Sequence, residues 1–487
     1  MKFRPVPGIL VLLGFAVLLP AAERPNIILI FADDLGWKDV GWQGTDFYET
    51  PHLDALAKQG MVFTSGYSAA GNCAPSRACL LSGTYTPRHH VYAVQTTDRG
   101  PKESQRLVPV PNRSGLARDN VTIADALQAA GYATGIFGKW HLDGPEGAPP
   151  AEQGFATVHQ SFHTWSDAKT RDPENPKGVF SLTRGATTFI EKNRDRPFFV
   201  YLAHYAIHSG LEARPATLKK FQQKSAGAQH NSALYAACLY DLDASVGLLL
   251  ARLKELGLEK NTLVVFTSDN GGTQESSQEP LRGNKGSYYE GGIREPFLAR
   301  WPGVTAPGSR CDVPVINVDL FPTFLAAAGV PVPPQKTLDG ENLLPLFRGE
   351  NRLSRSAIFW HFPGYLNTPV IRGRELDVRT GFRSRPVSVI RKGDWKLHLY
   401  HEEWQLDGGR AQLESNHAVE LYQLGDDIGE RVNLANRQPA KRDELLADLQ
   451  TWIKSTGALL PTEPNSVYDP AAKSAKPEGR KKAAQPE

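Results

Sequence analysis

A cysteine, a proline and an arginine stand close together in the segment from Gly71 to Gly83. Cys73 and Pro75 fit the first turn of a helix, where the missing N–H of proline costs least. Arg77 follows one turn later. An anion beside Cys73 would therefore meet the positive end of a helix dipole, free backbone N–H groups and a guanidinium. The segment predicts an anion-binding site that contains a thiol.

Pairs of oxygen-bearing side chains follow two separate apolar runs of strand length. Asp33 and Asp34 come directly after Asn26–Ala32, and Asp269 and Asn270 follow a second such run. Ligand-binding groups collect at the carboxyl ends of strands in an open α/β sheet, and a set of oxygen ligands suits a hard cation. A solvated turn with a helix cap would explain one such pair. Two pairs after two strands favour a metal site.

Basic residues follow three further segments of the chain. They are Lys139 and His141 at the exit of a predicted strand, His208 beyond the apolar run 197–203, and Lys285 within Gly283–Gly286. A single lysine or histidine is usually only a solvated surface group. Residue types alone therefore leave a surface role open for these residues, and we interpret His204 as structural.

Three of these segments resemble motifs of the type I sulfatases, the arylsulfatase-like enzymes of the alkaline phosphatase superfamily. Cys73 to Arg77 resembles the family's Cys-x-Pro-x-Arg motif. Gly131 to His141 resembles its Gly-Tyr-x-Thr…Gly-Lys-Trp-His motif, and Lys285 to Pro296 resembles Lys-Gly…Glu-Gly-Gly-x-Arg-x-Pro. The resemblance extends over residues 26–345.

The resemblance implies a nucleophile derived from cysteine and a bound metal ion. In this family a formylglycine-generating or other maturation enzyme converts the motif cysteine to formylglycine, and the hydrated aldehyde is the nucleophile. One Ca²⁺ ion would be held by five residues, namely Asp33, Asp34, Asp269, Asn270 and the converted Cys73. Carboxylate and amide oxygens are the ligands that Ca²⁺ prefers.

The same resemblance implies roles around the two hydroxyls of the hydrate at position 73. Arg77, together with the metal, would polarise one hydroxyl for attack on sulfur. His141 would act on the second hydroxyl, so that the sulfated intermediate releases sulfate and re-forms the aldehyde. A serine sulfate has no second hydroxyl that could expel the sulfate group.

Three further residues would bind the sulfate, again by the resemblance. These are Lys139, His208 and Lys285. Either His208 or Lys285 would protonate the departing alcohol. Glu290 and Arg294 are interpreted as holding the loop that carries Lys285.

Apolar runs alternate with helical patterns through most of the chain, which is typical of an α/β protein. With the resemblance, this predicts a large mixed central sheet sandwiched by helices, as in alkaline phosphatase. A smaller C-terminal α+β subdomain of antiparallel strands and a helix would follow. We expect the catalytic domain at residues 23–350 and the subdomain at 351–460. Residues 461–487 are rich in Lys, Pro and Ala and predict a disordered tail.

The composition fits a globular protein with a large core. Of 487 residues, 40% are hydrophobic and 22% charged, as in ordinary globular proteins. The net charge of +3 is too small to indicate nucleic-acid binding. Four cysteines are too few for a disulfide scaffold.

Residues 1–22 have the pattern of a cleavable signal peptide. Lys2 and Arg4 precede an apolar run at residues 8–19, and small residues follow it. This run is too short for a comfortable membrane span. We therefore predict export to the periplasm or outside the cell, with no stable membrane span after cleavage. An uncleaved anchor is the alternative.

These observations predict an exported sulfatase that hydrolyses a sulfate monoester on a carbohydrate or an aryl group. One alternative is a phosphonate or phosphate monoester hydrolase of the same superfamily, because the metal ion and cations predicted for the site would also accept a phosphate. The other is an inactive protein that binds sulfated glycans. Residues such as His163, Trp165 and Trp360 could line a sugar pocket, although packing and surface charge explain most residues of this kind.

Overall fold

The computed structural model describes residues 24–160, 172–367 and 382–471. The predicted signal peptide at residues 1–22 lies outside these ranges, as do His163, Trp165 and the end of the predicted tail. The strands of the described residues are β1 Asn26–Ala32, β2 Met61–Tyr67, β3 Ala133–Gly138, β4 Thr157–His159, β5 Phe198–Ala203, β6 Thr262–Ser268, β7 Arg294–Arg300, β8 Ser309–Cys311, β9 Val315–Ile316, β10 Ala357–Phe362, β11 Leu366–Asn367, β12 Phe382–Ser384, β13 Val387–Lys392, β14 Trp395–Tyr400 and β15 Val419–Gln423. Their α-helices are α1 Pro51–Gln59, α2 Cys73–Ser82, α3 Thr86–His89, α4 Ile123–Ala129, α5 Val179–Lys192, α6 Pro215–Gln222, α7 Ala233–Glu255, α8 Glu290–Ile293, α9 Leu320–Ala327, α10 Leu344–Phe347, α11 His401–Leu406 and α12 Pro439–Thr456.

A mixed sheet of nine strands forms the centre of the larger part of the described chain. The strand order is β4-β3-β5-β1-β6-β7-β2-β8, with β9 paired to β2. Strand β1 runs parallel to β5 and β6, whereas β7 runs antiparallel to β6 and β2. Every residue of β1, β5 and β6 is buried, as expected for central strands that are covered on both faces.

Helices cover both faces of this sheet. Side chains of α2, α4, α9 and α10 pack on one face, and those of α1, α5, α6 and α7 pack on the other. A separate antiparallel sheet follows, with the order β10-β13-β14-β15, and α12 packs against it. The predicted α/β architecture with a C-terminal antiparallel sheet and helix is confirmed.

Helix α7 is the one described helix that is long and apolar enough to cross a membrane by length and composition. Within the fold, 61% of its most apolar window is buried. Its side chains pack with those of α5 and β1 in one apolar cluster. The apolar length of α7 is therefore that of a core helix.

Strand β7 is the longest of the central-sheet strands that the apolar pattern did not predict, the others being β4, β8 and β9. It begins and ends with arginine, at Arg294 and Arg300, and contains Glu295, so it lacks the continuous apolar run of its neighbours. All seven residues are nevertheless buried. Arg294 reaches the carbonyl of Thr64 on β2, with its Nε 3.1 Å from that oxygen. The two arginines are tolerated here because their guanidiniums are paired, Arg294 with Glu290 and Arg300 with Glu259.

The predicted disordered tail differs from the structure over residues 461–471. Pro464 forms a β-bridge with Leu107. The Asn465 side-chain amide donates to the carbonyls of Lys102 and Gln105, at 2.9 and 2.8 Å. Backbone pairing and an asparagine side chain hold this segment, which has no apolar periodicity to reveal it. Residues beyond 471 lie outside the described part of the chain.

The C-terminal sheet shares an apolar core with the larger part of the protein. Tyr67 of β2 and Cys79 of α2 belong to the same buried cluster as Trp360 of β10 and Leu397 of β14. The indole N–H of Trp360 donates to the carbonyl of Ser68, 2.8 Å away. The predicted boundary at residue 350 stays a prediction, and this cluster crosses it.

A buried ionic network also connects the C-terminal sheet to the larger part of the protein. Glu290 accepts from Lys396 of β14 at 2.9 Å, from Arg294 at 2.9 Å and from the hydroxyl of Tyr67 at 2.7 Å. Lys396 also lies 3.0 Å from Glu430. Burial alone would raise the pKa of the Glu290 carboxyl, but Lys396 and Arg294 outweigh it and hold the pKa well below its ordinary value. The glutamate is therefore charged, and it holds the Lys285 loop against the C-terminal sheet.

Replacing Glu290 with glutamine is expected to destabilise the protein by about 3 kcal/mol, because breaking a buried ion pair leaves uncompensated charge. Urea unfolding followed by circular dichroism measures this loss. The matched control is Lys102→Met, which breaks the exposed pair with Asp98 and should cost at most about 1 kcal/mol. Equal losses in the two variants would contradict the prediction.

Candidate active site

The ends of the adjacent strands β1 and β6 bring the two acidic pairs together. Ala32 is in register with Ser268, so Asp33 and Asp269 leave the sheet side by side. The backbone N–H of Asp34 donates to Asp269 Oδ1 at 3.1 Å. Asp34 has a φ of 68°, a left-handed conformation that turns the chain sharply after the strand.

Cys73 is the first residue of α2 and is buried. The preceding loop is tied to the Lys285 loop, because the N–H of Gly286 donates to the carbonyl of Gly71 at 2.7 Å. Lys285 Nζ lies 3.2 Å from Cys73 Sγ. The helix start and the lysine loop therefore face each other across the thiol.

Four potential metal ligands converge at this point. Single ligand atoms of Asp33, Asp34, Cys73 and Asp269 all lie within 4.8 Å of one another, and all four residues are buried. Asn270 joins them, with its Nδ2 donating to Asp34 Oδ1 at 2.8 Å. Asn270 Oδ1 and Asp33 Oδ1 are buried acceptors with no hydrogen-bond partner among the described residues. Buried oxygens that lack donors fit a bound cation.

Two basic residues neutralise part of this negative charge from one side. Both Nε and Nη2 of Arg77 donate to Asp269 Oδ2, at 3.0 and 2.7 Å. The Arg77 Nη1 donates to the carbonyl of Lys139 at 3.1 Å, and Lys139 Nζ lies 2.7 Å from Asp33 Oδ2. Arg77 thus holds both the carboxylate of Asp269 and the backbone of Lys139 in place.

Lys285 supplies charge from the opposite side. Its Nζ lies 2.6 Å from Asp34 Oδ1. Burial alone would lower the pKa of Lys285, but Asp34 and Cys73 outweigh it and raise the pKa above its ordinary value. Lys285 is therefore a fixed positive charge in contact with the thiol.

The carboxylates titrate differently because their neighbours differ. Burial would raise the pKa of Asp33, but Lys139, His208 and Arg77 outweigh it and hold the pKa well below its usual range. Burial and the adjacent Asp33 instead raise the pKa of Asp269 well above that range, despite Arg77. A multivalent cation bound between such buried carboxylates removes their mutual repulsion and reverses the rise in pKa.

The two predicted catalytic histidines occupy different environments. His208 Nε2 lies 3.8 Å from Asp34 Oδ2, and its side chain is 30% exposed. Burial would lower the pKa of His208, but Asp33 and Cys73 outweigh it and raise the pKa. Burial and the neighbouring Lys139 lower the pKa of His141 to about 3, so that this ring is neutral. Its buried Nδ1 has no partner within the described ranges.

His204 does not join the cluster. It is fully buried, and its Nε2 lies 3.5 Å from the hydroxyl of Ser245 on α7. Its backbone N–H donates to the carbonyl of Phe31 at 3.0 Å. These contacts agree with the structural interpretation.

Two residues that contact the site were missed by the sequence analysis. The hydroxyl of Tyr201 accepts from Arg77 Nη1 at 3.2 Å. Lys177 Nζ donates to the backbone carbonyl of His208 and lies 3.3 Å from that of Ser209. Tyr201 lies inside an apolar strand and Lys177 in a polar insertion, so no local pattern distinguishes either residue from packing or surface groups.

Known proteins are similar to this chain over nearly its whole length. The family described as Sulfatase matches residues 25–330, and the one described as N-sulphoglucosamine sulphohydrolase, C-terminal, matches residues 284–383. Human arylsulfatase A is 33% identical over 495 residues, which covers 90% of this chain and 89% of that protein. The chain belongs to the sulfatase family. The sulfatase is also 33% identical to human N-acetylgalactosamine-6-sulfatase, over 91% of this chain and 88% of the relative.

Solved structures support the same assignment. The crystal structure of Ps i-CgsB aligns with this sulfatase at a TM-score of 0.70 and 29% identity. The alignment covers 91% of this chain and 95% of that one. A second structure of Ps i-CgsB is described as a complex with k-i-k-neocarrahexaose. The predicted membership of the sulfatases is confirmed, and the protein is a sulfuric ester hydrolase with an alkaline-phosphatase-like fold.

Proposed function

We propose that this sulfatase hydrolyses a sulfate monoester on a carbohydrate, using a formylglycine formed from Cys73 and one Ca²⁺ ion. The observation that carries the proposal is the buried thiol at the start of α2, in contact with Lys285 and surrounded by acidic ligands. Two similar proteins support a carbohydrate substrate. One is human N-acetylgalactosamine-6-sulfatase, and the other is Ps i-CgsB in its complex with k-i-k-neocarrahexaose.

The metal would be held by the donors that converge at the strand ends. They are Asp33, Asp34, Asp269, Asn270 and the converted residue 73. The unpartnered oxygens of Asn270 and Asp33 support this set. When bound, Ca²⁺ would supply Lewis-acid polarisation of oxygen at the reacting centre.

The basic residues orient and stabilise the sulfate in this proposal. Lys139 and Lys285 flank residue 73 and offer ammonium donors to the sulfate oxygens. Arg77 fixes Asp269 and acts on the hydroxyl that attacks sulfur. His208, on the partly exposed side, or Lys285 gives a proton to the departing alcohol.

His141 has the remaining proposed role. Its neutral ring, with a buried and unpartnered Nδ1, can accept a proton from the second hydroxyl at position 73. The bond between the carbon and the sulfated oxygen would then break as the other oxygen forms the aldehyde carbonyl, sulfate would leave, and water would hydrate the aldehyde for another cycle.

The cellular setting follows from the sequence pattern. Residues 1–22 support export to the periplasm or outside the cell, where sulfated polysaccharides are met. A formylglycine-generating or other maturation enzyme would act on the Cys73 segment. We propose neither nucleic-acid binding nor a stable membrane span after signal cleavage.

Kinetics on matched aryl sulfate and aryl phosphate esters test the proposed function. We expect kcat/KM for the sulfate to exceed that for the phosphate by more than about tenfold, a difference of about 1.4 kcal/mol in transition-state stabilisation. A preference for the phosphate would instead support the phosphonate or phosphate monoester hydrolase. Tight binding of sulfated glycans without turnover, by protein that carries the aldehyde, would support an inactive glycan-binding protein.

A further inference from the structure

Arg383 lies beside the catalytic cluster but has no role in the reaction described above. It belongs to β12, and its Nη1 donates to the carbonyl of Lys285 at 3.0 Å. A Cβ at Gly286 would lie 2.4 Å from Arg383 Cδ and 2.8 Å from Nη1, so the guanidinium packs directly on this glycine. Its Nε is buried and has no hydrogen-bond partner among the described residues. The Nη1 of Arg383 therefore holds the Lys285 loop, whereas its Nε is an unused donor.

Arg99 lies next to Arg383. A Cβ at Gly100 would lie 2.7 Å from the ring of Phe382, the residue before Arg383. The backbone N–H of Arg99 donates to the carbonyl of Tyr365 at 3.3 Å, and its Nη2 donates to the carbonyl of Val94 at 2.8 Å. These contacts fix Arg99 beside the strand pair β11 and β12, which carries Arg383.

The two guanidiniums repel each other. Burial and the charge of Arg99 lower the pKa of Arg383 to about 10, with Asp34 acting in the opposite direction. Burial likewise lowers the pKa of Arg99, with Cys73 acting in the opposite direction. Both cations therefore lie within electrostatic reach of the cluster around Cys73.

The buried arginines of the described residues have a carboxylate partner. Arg77 pairs with Asp269 at 2.7 Å, and Arg294 pairs with Glu290 at 2.9 Å. Over the ranges that the structure describes, neither Arg99 nor Arg383 forms an ion pair with a carboxylate. Arg99 and Arg383 are partly buried. Adjacent cations without a counter-ion are unfavourable, and an anionic ligand with two oxygens matches the fork of a guanidinium.

We propose that Arg99 and Arg383 form a second anion-binding subsite beside the scissile sulfate. The substrate would then carry another anionic group, a sulfate or a carboxylate, on the same sugar or the adjoining one. This inference rests on the proposed sulfatase reaction and narrows its substrate class to glycans with at least two negative charges close together. The subsite would act on substrate specificity, whereas the hydrogen bond from Arg383 to the Lys285 carbonyl positions the lysine loop.

Three kinds of substrate test this subsite. One is an aryl sulfate with a single charge, the second is a matched pair of monosulfated and disulfated disaccharides, and the third is a monosulfated disaccharide that contains a uronic acid. We expect the native enzyme to prefer a doubly anionic sugar by about tenfold or more in kcat/KM. The preferred second charge, sulfate or carboxylate, identifies the group that the subsite binds.

The variants Arg383→Gln and Arg99→Gln should lower kcat/KM for the preferred doubly anionic disaccharide by about 10- to 100-fold. Activity of Arg99→Gln on the aryl sulfate should change by no more than about twofold. Arg383→Gln also removes the hydrogen bond to the Lys285 carbonyl, so its activity on the aryl sulfate should fall too, but by less than on the doubly anionic disaccharide. Arg118→Gln is the matched control, since this arginine is 74% exposed and pairs only with Glu152 at the surface among the described residues. Arg383→Lys keeps the charge and should retain part of the preference.

Equal rates of the native enzyme on singly and doubly charged sugars would overturn the subsite. So would equal losses on every substrate in both glutamine variants. Calorimetric titration of the disulfated disaccharide into Cys73→Ala protein, with and without Arg383→Gln, decides the question by binding alone. If the aldehyde-bearing protein hydrolyses no sulfate ester, the proposed function fails, while an affinity that depends on Arg383 would still support the subsite.

Discussion

Replacing Cys73 with alanine is expected to lower kcat/KM for an aryl sulfate by about 10⁴-fold or more, because the variant lacks both the nucleophile and its precursor. The side chain is small and lies at the start of a helix, so the fold should be retained. Steady-state kinetics and thermal unfolding on the same preparation measure both effects. A variant that keeps a tenth or more of native activity would refute a nucleophile at this position.

Cys73→Ser adds a more specific result. A serine that escapes conversion has one hydroxyl, so it can take up a sulfate group but cannot expel it. We expect at most a single turnover and a protein that keeps labelled sulfate. The matched control is Cys311→Ala, a buried cysteine on the short strand β8. Its activity should stay within about twofold of native, because it lies outside the cluster.

Removal of the metal is expected to abolish activity and to lower the unfolding temperature. Asp33, Asp34 and Asp269 are buried together, and without a cation their mutual repulsion is only partly balanced by the surrounding basic residues. A ligand present at 100 to 1,000 times its dissociation constant stabilises the folded state by about 2.7 to 4 kcal/mol. Treatment with a chelator should remove that stabilisation, and added Ca²⁺ should restore it together with activity.

Two variants separate this effect from a general action of the chelator. Asp269→Asn removes a proposed ligand, so its unfolding temperature should no longer respond to chelation or to Ca²⁺. Asp195→Asn changes a carboxylate that is 94% exposed, and this control should keep the full response. If the chelator leaves the unfolding temperature of the native protein unchanged, this result would contradict a bound metal ion.

The central strands could be predicted from the sequence because each is buried on both faces. Asn26–Ala32 and Thr262–Ser268 are continuous apolar runs, and the structure has strands with these same bounds. Strand β7 could not be found in this way, since its buried arginines and glutamate are stabilised by partners on distant segments. The packing of residues 461–471 likewise depends on hydrogen bonds to a loop far away in the chain.

The site could be predicted as a set of residue types at strand ends, but its internal contacts could not. Adjacent strands bring Asp33 and Asp269 together, and this follows from the α/β pattern. The contact of Arg77 with Tyr201 depends on strand register. The contact of Arg383 with Lys285 depends on how the C-terminal part packs, which no local pattern encodes.

The most direct test of the proposed reaction is the mass of the peptide that contains residue 73, taken from active protein produced together with its maturation enzyme. We expect an aldehyde at this position, which an aldehyde-specific reagent should also label. Fully active protein in which residue 73 is an unmodified thiol would contradict the proposed reaction.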